Sequence, residues 1–211
     1  MAVFDVEQGS DEWFEARRGL PTASEFGTVM ANGKDGGASV TRTKLLHRLA
    51  GEIVTGECAP AGYRNAAMEK GNAMEAEARE SYARRRKQEV RRIGFVRNFD
   101  SLKLCGASPD GFVGFDGGLE VKIATEAHVL IPMLGKPALP AEHRAQVQGN
   151  MWVCERDWWD VTIYHHRLMP AVDVRVHRDD AYIRELSDQV ERFNYELNRL
   201  VESLKKMGAA G

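Results

Sequence analysis

Two carboxylates and a lysine are the residues whose types and spacing first suggest chemistry. Asp110 lies in Ser108-Pro109-Asp110-Gly111, and Glu120-Val121-Lys122 follows after nine intervening residues. Alternation along Leu119-Glu120-Val121-Lys122-Ile123 puts Glu120 and Lys122 on one strand face and the three apolar side chains on the other. Asp116-Gly117-Gly118 is a strong turn signal. A hairpin through it brings Glu120 back beside the residues after Asp110. Carboxylates gathered this way are costly to desolvate without partners. A hard divalent cation is such a partner, and magnesium favours carboxylates and water. Held there, a cation would polarise a phosphate, acidify a bound water and stabilise a leaving oxygen. Lys122 would orient or deprotonate that water. The competing reading is a surface turn followed by an exposed charge pair on a strand.

The elements that must position these residues are legible in the periodicity. A short helix is expected after Asp11, with Trp13 and Phe14 on its apolar side, before Pro21 breaks the chain. Thr22 or Ser24 can cap the next turn of helix, which carries Phe26, Val29 and Met30. Residues 32–38 are glycine-rich and read as a loop, after which Thr41 can cap a helix striped with Leu45, Leu46, Leu49, Ile53 and Val54. A longer helix is expected over about 65–86. From Val90 the period becomes two, predicting strands at 93–97, 102–107 and 112–115, then the strand bearing Glu120. Residues 125–140 hold three prolines and a glycine and read as a loop. A helix over 141–153 and strands at 159–166 and 172–177 follow. The amphipathic helix at about 180–207 aligns Tyr182, Leu186, Val190, Phe193, Leu197, Leu200 and Leu204. This order predicts a mixed α/β (α+β) fold, a central sheet flanked by helices, in a single domain over 1–211.

Bulk properties are those of an ordinary soluble chain: 211 residues, 43% hydrophobic and 28% charged. A net charge of −2 does not mark a nucleic-acid binder, so any DNA-attracting field must be local. Three scattered cysteines without CxxC spacing argue against a disulfide framework or zinc knuckle and for a reducing cytoplasm. No stretch has the length and apolar character of a membrane span or signal peptide.

An Asp with a spaced Glu-x-Lys on a hairpin resembles the core of the PD-(D/E)XK, restriction-endonuclease-like nucleases. Further motifs make the chain resemble the phage lambda exonuclease family, the YqaJ-type viral recombinases. These are Gln8-Gly9-Ser10-Asp11-Glu12-Trp13, Arg17 to Glu25, Gly71-Asn72-Ala73-Met74-Glu75 with Ala78-Arg79, Cys105 to Gly111, Leu119 to Lys122, and Ala145 to Gln148 with Met151-Trp152-Val153. They occur in the family's order over about residues 8–165.

The resemblance implies roles residue by residue. Asp110, Glu120, Glu75 and the Val121 carbonyl are expected to hold metal, Mg²⁺ as two ions with Mn²⁺ able to substitute. Lys122 and Gln146 complete the catalytic group. Arg17, Ser24 and Ser108 are expected to bind a 5′-terminal phosphate, a sensible anion pocket of guanidinium and hydroxyls. Arg18 competes with Arg17 for that role, and Ser24 is equally a plain helix cap. Lys34 falls where the family places a basic DNA-contacting residue, although a lone loop lysine is usually just solvated. Arg84 to Lys87 with Arg91 and Arg92 form the densest basic run, either a phosphate-backbone contact or a solvated helix end. The implied activity is a 5′→3′ exonuclease that digests one strand of duplex DNA to mononucleotides and leaves a 3′ tail. The implied partners are a homotrimeric ring around the DNA end and a single-strand annealing protein, in the bacterial cytoplasm during phage-type recombination. The alternatives are a metal-dependent endonuclease or repair nuclease, and a non-catalytic DNA-end-binding protein.

Overall fold

The alternating segment after Val90 does form strands, but the long hairpin they build is broken at its middle. In the computed structural model, which describes residues 1–33, 36–58, 66–124 and 126–208, this hairpin has four pieces. They are β2 (Val90–Arg91), β3 (Phe95–Asn98), β4 (Cys105–Ala107) and β5 (Gly111–Val113). β2 pairs with β5 and β3 with β4, both antiparallel. Between the paired parts, residues 92–94 face 108–110 without strand pairing. Ser108 and Asp110 sit in that break.

The break divides two sheets. β1 (Ala2–Phe4) pairs with β3 to give a three-stranded sheet ordered β1-β3-β4. The larger sheet is ordered β2-β5-β6-β7-β8, where β6 is Gly117–Ile123, β7 Trp158–His165 and β8 Leu168–His177. β6 and β7 run parallel and β7 and β8 antiparallel, so this sheet is mixed, as expected. A parallel pair needs a crossover, supplied by α5 (Ala127–Gly135) and α6 (Arg144–Val153).

Helices cover both faces. On one side Ala78 and Tyr82 of α4 (Ala66–Arg86) bury Val113, Leu119, Val121 and Tyr164. On the other, α2 (Phe26–Val29), α3 (Val40–Thr55), α6 and α7 (Asp180–Lys206) close over Phe112, Trp159, Val161 and Ile163. Each large apolar side chain fully buried there contributes about 1.5–3 kcal/mol. The apolar stripe of α7 behaves as its spacing predicts, with Leu186, Val190 and Phe193 all fully buried. The tryptophans join the packing: Trp159 is wholly buried, Trp152 packs on Phe26, and Trp158 lies under the Arg175 guanidinium.

Three expectations need correction, and one strand was not anticipated. Residues 127–135 are helical despite Pro132, because burial of Leu130 and Met133 outweighs the proline's cost of about 3 kcal/mol. The cap of α3 is Ser39, whose hydroxyl accepts the Arg42 N–H at 3.1 Å, not Thr41. β1 is only three residues long, too short to show a period. Finally, Gly117 and Gly118 start β6, and the positive φ of the preceding turn belongs to Gly114 (φ 59°). Those two glycines make room instead: a Cβ would lie 2.0 Å from the Trp158 ring at Gly117 and 2.2 Å from Trp159 at Gly118.

Candidate active site

Glu120 is the centre of a closed hydrogen-bond network. Only 4% of it is exposed, because β6 turns Leu119 and Val121 into one core and leaves Glu120 facing α6. Its Oε1 accepts from Lys122 Nζ at 2.8 Å and from Gln146 Nε2 at 2.6 Å. Gln146 Oε1 accepts from the same lysine at 2.9 Å, which fixes the orientation of the amide. The other carboxylate oxygen accepts from Asn150 Nδ2 at 3.1 Å. Gln146 and Asn150 lie one turn apart on one helix face. Asn150 was not among the expected residues, although its four-residue spacing from Gln146 was a usable signal.

Asp110 joins this group across the sheet break. The β5–β6 ladder ends at Gly111 opposite Leu119, and the next donor, the Val121 N–H, is taken by Asp110 Oδ2 at 2.6 Å. Burial, followed by the nearby charge of Glu120, pushes the Asp110 carboxyl well above the usual range; the Val121 N–H acts in the opposite sense. Glu75 on α4 is raised by burial, offset by Arg79, with Glu120 raising it further. Three carboxylates thus influence one another across the site, Lys122 pairing with Glu120 and Arg79 acting on Glu75, and hard oxygen donors of this kind suit a divalent cation. Among the described residues, however, no three Asp, Glu, His or Cys side chains are gathered as a ready-made metal cage. Hydrogen bonds to Lys122, Gln146, Asn150 and Val121 hold the carboxylates here.

A second cluster begins at Ser108. Arg17, at the end of α1 (Asp11–Arg17), donates to Ser108 Oγ at 2.8 Å and to Thr22 Oγ1 at 3.2 Å. Its guanidinium lies 4.1 Å from the Trp13 ring centroid, and burial lowers its pKa from the ordinary value. Ser24 reaches the cluster through a 3.2 Å contact with the Thr22 hydroxyl. Thr22, not Ser24, takes the N-cap position of the 3₁₀ turn Ala23–Glu25, and its N–H and hydroxyl both donate to Glu25. Arg48 ties Glu25 to Glu52, which accepts the Gly19 N–H at 2.9 Å. Arg18 points elsewhere, pairing with Glu15 and the Gly56 carbonyl. The structure therefore brings Arg17, Ser24 and Ser108 together and leaves Arg18 out. Lys34 lies outside the described residues.

Side chains also satisfy the carbonyls freed by the sheet break. Gln8 Nε2 donates to the Ile93 and Pro109 carbonyls at 2.8 and 3.0 Å, and Trp13 Nε1 to that of Gly94 at 3.1 Å. Arg79 Nε donates to the Asp110 carbonyl at 3.1 Å. The break between the two clusters is held open by these three residues.

Residues 12–157 match the model of the YqaJ-like viral recombinase domain, well over half of the chain. The chain belongs to this family. The YqaJ-like segment contains Arg17, Ser24, Glu75, Ser108, Asp110, Glu120, Lys122, Gln146 and Asn150. Among solved structures, an alkaline exonuclease from Laribacter hongkongensis (LHK-Exo) is 31% identical, with a TM-score of 0.82 over 95% of this chain and 98% of that one. The same protein in complex with dAMP gives a TM-score of 0.83 at the same identity and coverage. A phage-related exonuclease from Haemophilus somnus 129PT shares the YqaJ-like chain's fold at 15% identity, with a TM-score of 0.70 over 88% of this chain and 96% of that one. No curated protein matches.

Proposed function

We propose that this chain is a Mg²⁺-dependent exonuclease acting as one nuclease domain with a PD-(D/E)XK-type core. It digests one strand of duplex DNA from a 5′-phosphorylated end, releases mononucleotides and leaves a 3′ tail. The observation that carries this is the spacing of two sites on one sheet break: Ser108, bound by Arg17, and Asp110, bonded to the strand of Glu120 and Lys122, are two residues apart. An extended chain spans at most about 7 Å over that separation. An end phosphate held at Arg17 is thereby a fixed, short distance from the reacting phosphodiester, and such positioning supplies much of the work in phosphoryl transfer. Family membership and 31% identity to an alkaline exonuclease across nearly the full length of both chains support nuclease chemistry.

Asp110, Glu120, Glu75 and the Val121 carbonyl would hold the metal, with Mn²⁺ able to replace Mg²⁺. A bound cation supplies Lewis acidity to phosphate and water. Lys122, steered by Glu120 and Gln146, holds the attacking water and its proton. Arg17, Ser108 and Ser24 grip the terminal phosphate, with the arginine's forked donors aimed by Ser108 and Thr22. The proposed assembly is a homotrimeric ring whose 3′ tail passes to a single-strand annealing protein during phage-type recombination in the bacterial cytoplasm. Among the described residues no helix is long and apolar enough to cross a membrane. Linear duplex and covalently closed circles of the same sequence test the assignment. An exonuclease consumes the first and spares the second; cleavage of the circle indicates an endonuclease, and cleavage of neither a non-catalytic binder.

A further inference from the structure

The basic run at Arg84–Lys87, Arg91 and Arg92 has no part in the chemistry above. Most of it is already neutralised or packed. Arg84 pairs with Glu80 one turn away, and Arg85 and Arg86 share Asp173. The Arg91 guanidinium lies 5.6 Å from the Phe112 ring centroid. Lys87 and Arg92 remain, exposed and without a carboxylate partner among the described residues. Of these two, Arg92 lines a cleft of about 330 Å³ together with Glu7, Gln8, Glu75, Arg79 and Asp110.

That cleft adjoins the carboxylate cluster. Its floor is the sheet break, where Gln8 is pinned to the Ile93 and Pro109 carbonyls. Arg79 is half-buried and aimed by its bond to the Asp110 carbonyl. Arg92 stands next to Ile93 on the unpaired segment facing 108–110. Arg79 and Arg92 therefore both line the cleft that Asp110 borders, while Arg17 occupies the Ser108 end of the same break. Glu7, Glu75 and Asp110 oppose an anion here, so a cation at the carboxylates would favour its entry.

We propose that Arg92, supported by Arg79, binds a backbone phosphate of the DNA strand beside Asp110, a contact separate from the terminal-phosphate pocket at Arg17. This rests on the nuclease assignment above. A guanidinium at the mouth of a cleft suits a phosphate diester and carries no sequence readout. Arg84, Arg85, Arg86 and Arg91, by contrast, are engaged by Glu80, Asp173 and the Phe112 ring.

The test is binding of 5′-phosphorylated duplex in Ca²⁺ across a range of salt concentrations, comparing wild type, Arg92→Gln and Arg86→Gln, with thermal melts to compare folding. Each phosphate contact contributes about 0.7 (single strand) to 0.9 (duplex) to the slope of log affinity against log salt. Arg92→Gln is expected to lower the slope by about that amount and weaken binding several-fold, while Arg86→Gln keeps the wild-type slope. An unchanged slope for Arg92→Gln, or an equal drop for Arg86→Gln, overturns the contact. Wild type that binds no DNA end overturns the assignment beneath it, and the contact with it.

Discussion

Asn150 Nδ2 lies 3.1 Å from Glu120 Oε2, while Gln146, one turn earlier on the same helix, holds Oε1 at 2.6 Å. One face of α6 therefore grips both oxygens of a carboxylate that is almost completely buried. Asn150 is a positioning residue. Replacing partners of this kind costs about 10–100-fold in metal affinity or activity. Asn150→Ala is expected to raise the Mg²⁺ concentration for half-maximal nucleotide release by about that factor. Asn150→Asp, which sets a second carboxylate against Glu120, loses more. A metal requirement unchanged in both variants removes the clamp.

Asp110, Glu120 and Glu75 repel one another in the metal-free protein, and burial disfavours the charge of Asp110 most strongly. Asp110→Asn keeps an acceptor for the Val121 N–H and removes one of these charges. In chelator the variant should therefore melt at a higher temperature than wild type. Added Mg²⁺ should stabilise wild type, by about 2.7 kcal/mol at a hundredfold excess over Kd, and the variant much less. Melts in chelator and in Mg²⁺ measure both; a variant less stable in chelator but equally responsive to Mg²⁺ contradicts the crowding.

Arg17 is held by Ser108, Thr22 and the Trp13 ring. Arg17→Lys keeps the charge and loses the forked donors. The ratio of rates on 5′-phosphate and 5′-hydroxyl ends should fall toward one, by about 10-fold or more if a charged hydrogen bond of about 1.5–3 kcal/mol is lost. Because both rates come from one protein sample, a general loss of fold cancels. A ratio that stays at the wild-type value excludes Arg17 from end recognition.

Gly118 faces the wholly buried Trp159 ring at the start of the strand that carries Glu120 and Lys122. Gly118→Ala should cost about 1–3 kcal/mol by overpacking, each kcal/mol lowering Tm by about 2–4 °C in a chain of this size. Calorimetry checks it, and an unshifted Tm means that the ring can move aside.

Residues that act through local pattern were the ones legible in the sequence. Glu120 and Lys122 share a face because strands alternate, and the α7 stripe followed from helical spacing. Asp110 could be placed beside them because only a short hairpin intervenes. Harder to read were contacts made across long separations. Nothing in the spacing of Gln8, Trp13 and Arg79 reveals that they hold carbonyls of a broken hairpin some 30 to 100 residues away. Arg17 and Arg18 were indistinguishable until the fold placed Ser108 beside only one of them. At α5, proline and glycine counts pointed to a loop, whereas tertiary burial of Leu130 and Met133 made a helix. Asn150 escaped for a different reason: its four-residue spacing from Gln146 put it on the same helix face, but only the fold shows that this face meets Glu120.

Lys122, bonded to Glu120 and Gln146, is proposed to work in a metal-dependent cut at a 5′ end. Duplex DNA labelled at either end and carrying 5′-phosphate, incubated in Mg²⁺ with wild type or Lys122→Ala, tests it most directly. Wild type alone should release mononucleotides, starting from the 5′ end, and chelator should stop it. Equal release by both proteins, or none by wild type, contradicts the catalytic assignment.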